Sequence, residues 1–360
     1  LTAYTTAKTG ATTNTLTADG TWSVAATALD TALTAGVRLV GSLTVTGIAS
    51  GNETAALAAY TDALTGSTSV TLTASDTNWS VAAATLDTAL AAAVRLNGDL
   101  TVTDIASDDE ANASTTYSKT ATGASNVTLT ASDGTWSVAV SALNTDLGND
   151  IKYAGALTVT GITDEVAALT DYTTAKTGAT TNTLTADGNW SLAVATLDSA
   201  LSAGVRLAGA LTVTGITSGS ETSALTAYTT AKTGATTNTL TAADDGAWSV
   251  AASDLTTALN AGVRLAGTLT VTSIASGNEA SALTDYTQTK TGASMNTLTA
   301  SDANWSVAAT DLDAALTANV RLAGALAVTG ISTEANASTT YSKANTGASS
   351  VTLTASDAAW

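Results

Sequence analysis

Thr15-Leu16-Thr17-Ala18-Asp19-Gly20-Thr21-Trp22-Ser23-Val24 sets two short runs of alternating apolar and polar residues on either side of Asp-Gly. A short loop with glycine at a left-handed position commonly joins antiparallel strands. The stretch therefore predicts a β-hairpin with Leu16 across from Trp22. It recurs along the chain, with tryptophan at 22, 79, 136, 190, 248, 305 and 360 and tyrosine at 4, 60, 117, 172, 228, 286 and 341. A repeat of about 57 residues, present six times in full, is the organising fact of the sequence.

The spacing within a repeat is uneven in a useful way. Tyr to the Leu of each Thr-Leu-Thr segment is always 12, and Trp to the basic residue at 38, 95, 152, 206, 264 and 321 is always 16. Only Leu-to-Trp and Ile-to-Tyr vary, and insertions are tolerated at loop tips and linkers rather than inside packed elements. The first variable interval reads as an exposed hairpin tip, the second as a junction between units. An aspartate three residues before each Trp, from Asp19 to Asp245 and Asp357, reads as a cap on the turn's N–H groups. This spacing predicts repeats at 1–56, 57–113, 114–168, 169–224, 225–282 and 283–337, with a partial repeat at 338–360.

Downstream of the tryptophan, Leu29, Leu33 and Val37 fall at helical spacing and Gly36 is placed to stop a short helix. The third repeat departs with Leu147-Gly148-Asn149-Asp150, which predicts a frayed or shorter helix there. Val37 to Thr46 alternates apolar and polar residues and reads as a strand, with Gly41 marking a bulge or close backbone approach. Each Thr-Gly pair, from Thr9-Gly10 to Thr346-Gly347, reads as a kink between two short strands. The fold class expected is all-β with one short helix per unit, and an intact β-solenoid is the competing fold.

Composition narrows the function. The 360 residues include no His, Cys, Pro or Phe, so Ser-His-Asp and Cys-His nucleophile systems and zinc or heme ligation by imidazole or thiolate are excluded for this chain. A formal net charge of -18 opposes nucleic acid and anionic lipid. No run approaches the roughly 20 apolar residues of a membrane span, so no membrane insertion is expected in this segment. A surface of Thr, Ser, Asn and Gly leans extracellular, at the cell surface.

Asp133-Gly134-Thr135-Trp136-Ser137-Val138 and Leu269-Thr270-Val271-Thr272-Ser273-Ile274-Ala275-Ser276-Gly277-Asn278-Glu279 resemble the bacterial Ig-like repeats of very large surface adhesins. The resemblance implies a tandem array of small β-sandwich units, shortened here to about 57 residues. It implies a non-catalytic extracellular stalk, adhesin shaft or surface fibre whose partners are neighbouring repeats and identical chains. The alternatives are a self-assembling filament, sheath or surface-layer subunit, and a polysaccharide-binding array.

Glu53, Glu110, Glu165, Glu221, Glu279 and Glu334 each precede a ruler tyrosine by seven residues. Arrays of this kind often stiffen such junctions with Ca²⁺, which takes six to eight oxygens. One Glu per junction fits either a Ca²⁺ ligand or a salt bridge to the strand Arg; no other cofactor is expected. The tryptophans read as core anchors rather than sugar platforms, because they alternate with inward-facing valines. Lys8, Lys176, Lys232 and Lys290 resemble isopeptide donors, but Leu64, Ala121 and Asn345 occupy the same place elsewhere. Thr-x-Thr pairs resemble ice-binding ladders, yet at one strand per repeat they would form no continuous lattice.

Overall fold

The structure is a computed structural model and describes residues 1–243 and 246–357. Asp245 and Trp360, counted above among the turn aspartates and tryptophans, lie outside the described residues. The chain divides into two compact units, Leu1–Leu184 and Thr185–Trp360.

The fold is mixed α/β, with 36% helix and 41% strand in parallel sheets, not all-β. The expected Ig-like β-sandwich is thereby overturned, because its sheets would be antiparallel, and so is the all-β solenoid, because successive strands are joined through helices. The adhesin and cell-surface expectations attached to the Ig-like resemblance lose that support.

The hairpin is the point at which the sequence reading fails. In the first unit the predicted arms form one continuous strand, Ser69–Ala82, which pairs in parallel with Ser42–Ile48 on one side and Val94–Ile105 on the other. Thr73 is opposite Asn97 and Asn78 is opposite Asp99, so Ala74, Ser75, Asp76 and Thr77 bulge out against Gly98 alone. The chain then continues in its original direction. Leu72 and Trp79 do not face each other across a turn; both point into the same core, at 0% and 2% exposure. Asp-Gly supplies the same local geometry to a bulge as to a hairpin tip, so local sequence does not distinguish them.

Gly98 is required by this bulge. Its φ is +118°, and a Cβ there would stand 2.1 Å from the Thr77 carbonyl oxygen. Gly155, Gly267 and Gly324 meet the carbonyls of Gly134, Gly246 and Ala303 in the same way, at 2.3, 1.8 and 2.3 Å. The close approach expected at Gly41 and its equivalents is therefore present at these four glycines, but not at Gly209, which has nothing within 4 Å, nor at Gly41, where the nearest atom, the Gly20 carbonyl oxygen, would be 3.9 Å away.

Parallel strands need a crossover, and two kinds alternate. Ala26–Thr34, Ala83–Ala91 and Val140–Gly148 are nine-residue helices that bury Leu29 and Ala32, Leu86 and Ala89, and Leu143. The third is as long as the others, against expectation, because Asp150 adopts a left-handed φ of +57° where Gly36 has +73° in the first repeat. The junction is also helical: Glu53–Ala59 buries Ala56 and Leu57, and Asp62–Thr65 ends at Gly66 with φ +83°. The Thr-Gly pair is thus a helix C-cap rather than a kink between strands. The repeat boundary drawn between residues 56 and 57 falls inside the first of these helices.

The second unit repeats the scheme. Trp190–Ala193, Ala210–Ile216, Thr237–Ala242 and Val263–Ala266 form one parallel sheet. Ala247–Ala251, Thr268–Ile274, Met295–Ala308, Val320–Ile331 and Ser350–Ala355 form another. One side of every long strand is buried under helices, as in Leu211, Val213 and Ile216. Along that strand the alternate residues on the other side, Ala210, Thr212 and Thr214, are half-exposed.

Candidate functional site

The sequence-predicted glutamates are not brought together. Glu53, Glu110, Glu165, Glu221 and Glu279 are each the first residue of a seven-residue junction helix, and Glu334 opens a 3-10 turn. A carboxylate at that position complements the positive end of the helix. Glu279 also accepts the Gly277 N–H at 2.7 Å. Among the described residues no group of three or more acidic side chains is placed to hold a metal ion. Burial, then the nearby charge of Asp133, raises the Glu110 pKa above the ordinary carboxylate value.

The strand arginines have another role. Arg38 donates from one guanidinium nitrogen to the carbonyls of Leu33 and Val37 at 3.2 and 3.0 Å. Arg264 makes the same pair with Leu259 and Val263 at 3.1 and 2.8 Å. Each closes the carbonyl end of the preceding helix, where cations are favoured. The ion pairs among the described residues are instead Lys119–Asp150, Lys176–Asp171 and Lys290–Asp285, all solvent-exposed. Such surface pairs contribute little stability.

A repeated cleft lies beyond the carboxyl ends of the parallel strands, the place where α/β sheets commonly receive ligands. In the first unit it encloses about 280 Å³ between Ala26, Thr27 and Asp30 of one helix and Asn52, Ala56 and Tyr60 of the next. In the second unit its counterpart, with Asp198, Ser220 and Tyr228, reaches about 520 Å³. The polar pair in each is already joined. The Tyr60 hydroxyl donates to Asp30 at 2.8 Å, and Tyr228 donates to Asp198 at 2.9 Å. Tyr172 uses Asn144 in the same way, at 2.8 Å.

The electrostatics match a structural pair. Burial first, then the hydrogen bond to and charge of the aspartate, push the Tyr60, Tyr117 and Tyr228 hydroxyls far above their ordinary pKa. These tyrosines stay protonated near neutral pH and serve as donors. The first unit adds a buried variant, in which Tyr153 donates to Asp146 and packs edge-on against Trp136 with ring centroids 4.9 Å apart. Asp146 stands where the other helices carry Ala32 or Ala89, and Tyr153 where the other strands carry Leu39 or Leu96.

Trp79, Trp136, Trp190, Trp248 and Trp305 are at most 2% exposed, so they offer no sugar-stacking surface. Lys8 and Lys232 donate to the carbonyls of Thr2 and Thr226, each at 2.8 Å. Lys176 and Lys290 reach Asp171 and Asp285, the last residues of the junction helices that precede them. The sequence reading missed Asn182, Asn238 and Asn296, all fully buried. Each donates to the carbonyl of the tyrosine ten residues earlier and to a threonine hydroxyl, as Asn238 does to Tyr228 at 2.5 Å and to Thr233 at 3.0 Å. The signal was an Asn at a fixed step of ten from the tyrosine. Val70 and Val127, standing at that place in other repeats, obscured it. No family model, curated protein or solved structure matches this chain.

Proposed function

We propose that the chain is a non-catalytic structural array, a spacer or scaffold made by repeating one strand–helix–strand–helix module. The observation that carries this reading is the Tyr–Asp pair in the cleft. At the place where an α/β protein would hold catalytic groups, the polar side chains are bonded to each other and tie neighbouring helices together. Three other recurrent polar groups are engaged in the same fashion, Trp Nε1 on a strand carbonyl, Arg on a helix end and Asn on the junction. In arrays of this kind each repeat contacts mainly its neighbours, and stability is roughly a sum over repeats and their interfaces.

Removing one whole period, residues 225–282, tests the reading. A spacer should refold with unchanged helix and strand content per residue, and its longest dimension in small-angle scattering should shorten by the same step that adding a period lengthens it. Loss of folding on removal of one period, or a dimension independent of the number of periods, would overturn the proposal.

A further inference from the structure

The threonine pairs that looked isolated in sequence are brought side by side. Each of the first five repeats contributes two Thr-x-Thr strands, not one; in the sixth, Ala327 replaces the first threonine of the second strand. Thr212 lies directly opposite Thr239, and Thr270 directly opposite Thr297. Ser191 and Ser249 extend these rows on one flank. The first unit has the same arrangement, with Thr44 opposite Thr71. A second threonine follows two residues along each of these strands, on the same face. Adjacent strands lie about 4.8 Å apart and alternate residues about 6.6 Å apart along a strand, so hydroxyls and methyls repeat in two dimensions at fixed intervals. Threonine's branched Cβ restricts χ1 and limits the spread of orientations.

The first threonine of each pair has a hydroxyl with no use within the protein, whereas among the second ones Thr214 donates to the Leu192 carbonyl and Thr73 accepts from the Asn97 side-chain amide, each at 3.4 Å. Thr44, Thr71, Thr212, Thr239, Thr270 and Thr297 are half-exposed on the face opposite the helices, and no hydroxyl among them has a protein hydrogen-bond partner. Helix threonines behave differently: Thr88 and Thr257 bond back to the carbonyl four residues earlier. The charge on the face also selects its ligand. In the second unit the rows are Ser, Thr and Ala, ending at Arg264 and Arg321, whose guanidinium groups already bind helix carbonyls. No aromatic ring lies in these rows, so sugar stacking has no platform. A neutral, periodic, hydrogen-bonding partner remains, and that description fits the surface of an ice crystal or the ordered water that becomes one.

We propose that the threonine face is an ice-binding surface. The test is partition into slowly grown ice. The chain is compared with T239K/T270K, which places two flexible cations in the rows, and with T257K, which places one on an exposed helix. The wild type and T257K should be enriched severalfold in the ice, and T239K/T270K should remain in the liquid. Should circular dichroism show that T239K/T270K is misfolded, T239A/T270A takes its place, with the same loss expected. Exclusion of the wild type from ice, or equal enrichment of a folded face variant, would overturn the proposal. So would binding to crystalline cellulose or chitin powder without enrichment in ice. The spacer reading stands or falls separately, since removing a period does not alter the face of the repeats that remain.

Discussion

The indole N–H of Trp79 donates to the main-chain carbonyl of Asn97 at 3.1 Å, and the next residue after that carbonyl is Gly98, which lies under the bulge leading into the tryptophan. One bond thus ties the strand that bulges to the strand that accommodates the bulge. Trp22, Trp136, Trp190, Trp248 and Trp305 make the equivalent bond, always to the residue 18 positions later.

Replacing this tryptophan should separate packing from hydrogen bonding. Trp79→Ala is expected to cost about 3–5 kcal/mol, as other aromatic-to-alanine core changes do. Trp79→Phe keeps much of the packing but leaves the Asn97 carbonyl without its donor, and should cost about 1–3 kcal/mol for that group in addition to the lost volume. Denaturant unfolding of the two variants checks the order; a Phe variant as stable as the wild type would remove the hydrogen bond from the account.

Two glycines with similar φ should respond differently to alanine. Gly267 has φ +104° and its Cβ would stand 1.8 Å from the Gly246 carbonyl oxygen, whereas Gly209 has φ +100° and open space around it. Gly209→Ala should cost about 1–3 kcal/mol from backbone strain. Gly267→Ala carries the same strain plus the displaced bulge and should cost distinctly more. Equal losses in thermal melts would contradict the close approach described for the bulge.

These two positions also show how far the sequence could be read. The 57-residue period, the inward tryptophan, the strand over Val37–Thr46 and the glycine at its centre were legible because period-2 alternation and invariant spacing survive in each repeat. The direction of the chain after Asp19-Gly20 was not. Hairpin and bulge share the same turn chemistry, and the choice depends on strands such as Val94–Ile105 that are remote from the turn. The junction helix Glu53–Ala59 was missed because seven residues carry only Ala56 and Leu57 as its buried positions, too few to establish a helical period. At the candidate site the tyrosines were noticed only as a ruler. Their partner Asp30 lies 30 residues upstream and gives no local signal.

Alkaline titration should report the tyrosine pairs. Burial, then the hydrogen bond to Asp313 and its charge, raise the Tyr341 pKa from 10.0 to about 12. A raised folded pKa means that the stabilisation is complete below pH 10.0 and is lost as pH rises through about 12. Phenolate absorbance should therefore develop late in the folded protein and coincide with loss of structure. Asp198→Asn removes the charge facing Tyr228 and should bring that tyrosine's ionisation to lower pH. Ordinary titration of all the tyrosines near pH 10.0 in folded protein would contradict the pairing.

The arginine at the helix end should be worth more than its exposed charge suggests. Arg264→Met keeps an aliphatic stem but frees the carbonyls of Leu259 and Val263, and a loss of about 1–2 kcal/mol is expected from two charge-assisted bonds to a partly exposed site. Because its partners are neutral carbonyls, that loss should change little with salt, unlike the loss of a surface ion pair. Chemical unfolding at low and high ionic strength distinguishes the two.

The most direct measurement concerns chain direction, and the absence of native cysteine makes it clean. Thr44→Cys/Thr71→Cys places two thiols on directly opposed residues of parallel neighbours, within the usual Cα separation for a disulfide. Thr71→Cys/Ser80→Cys places them where a hairpin would oppose them. In the parallel fold their partners are Arg95 and Thr101, which puts the two about 20 Å apart along the strand. Mild oxidation should cross-link the first pair and leave the second reduced. A disulfide between positions 71 and 80, with 44 and 71 remaining free, would mean that the chain turns back at each tryptophan and would contradict the parallel architecture.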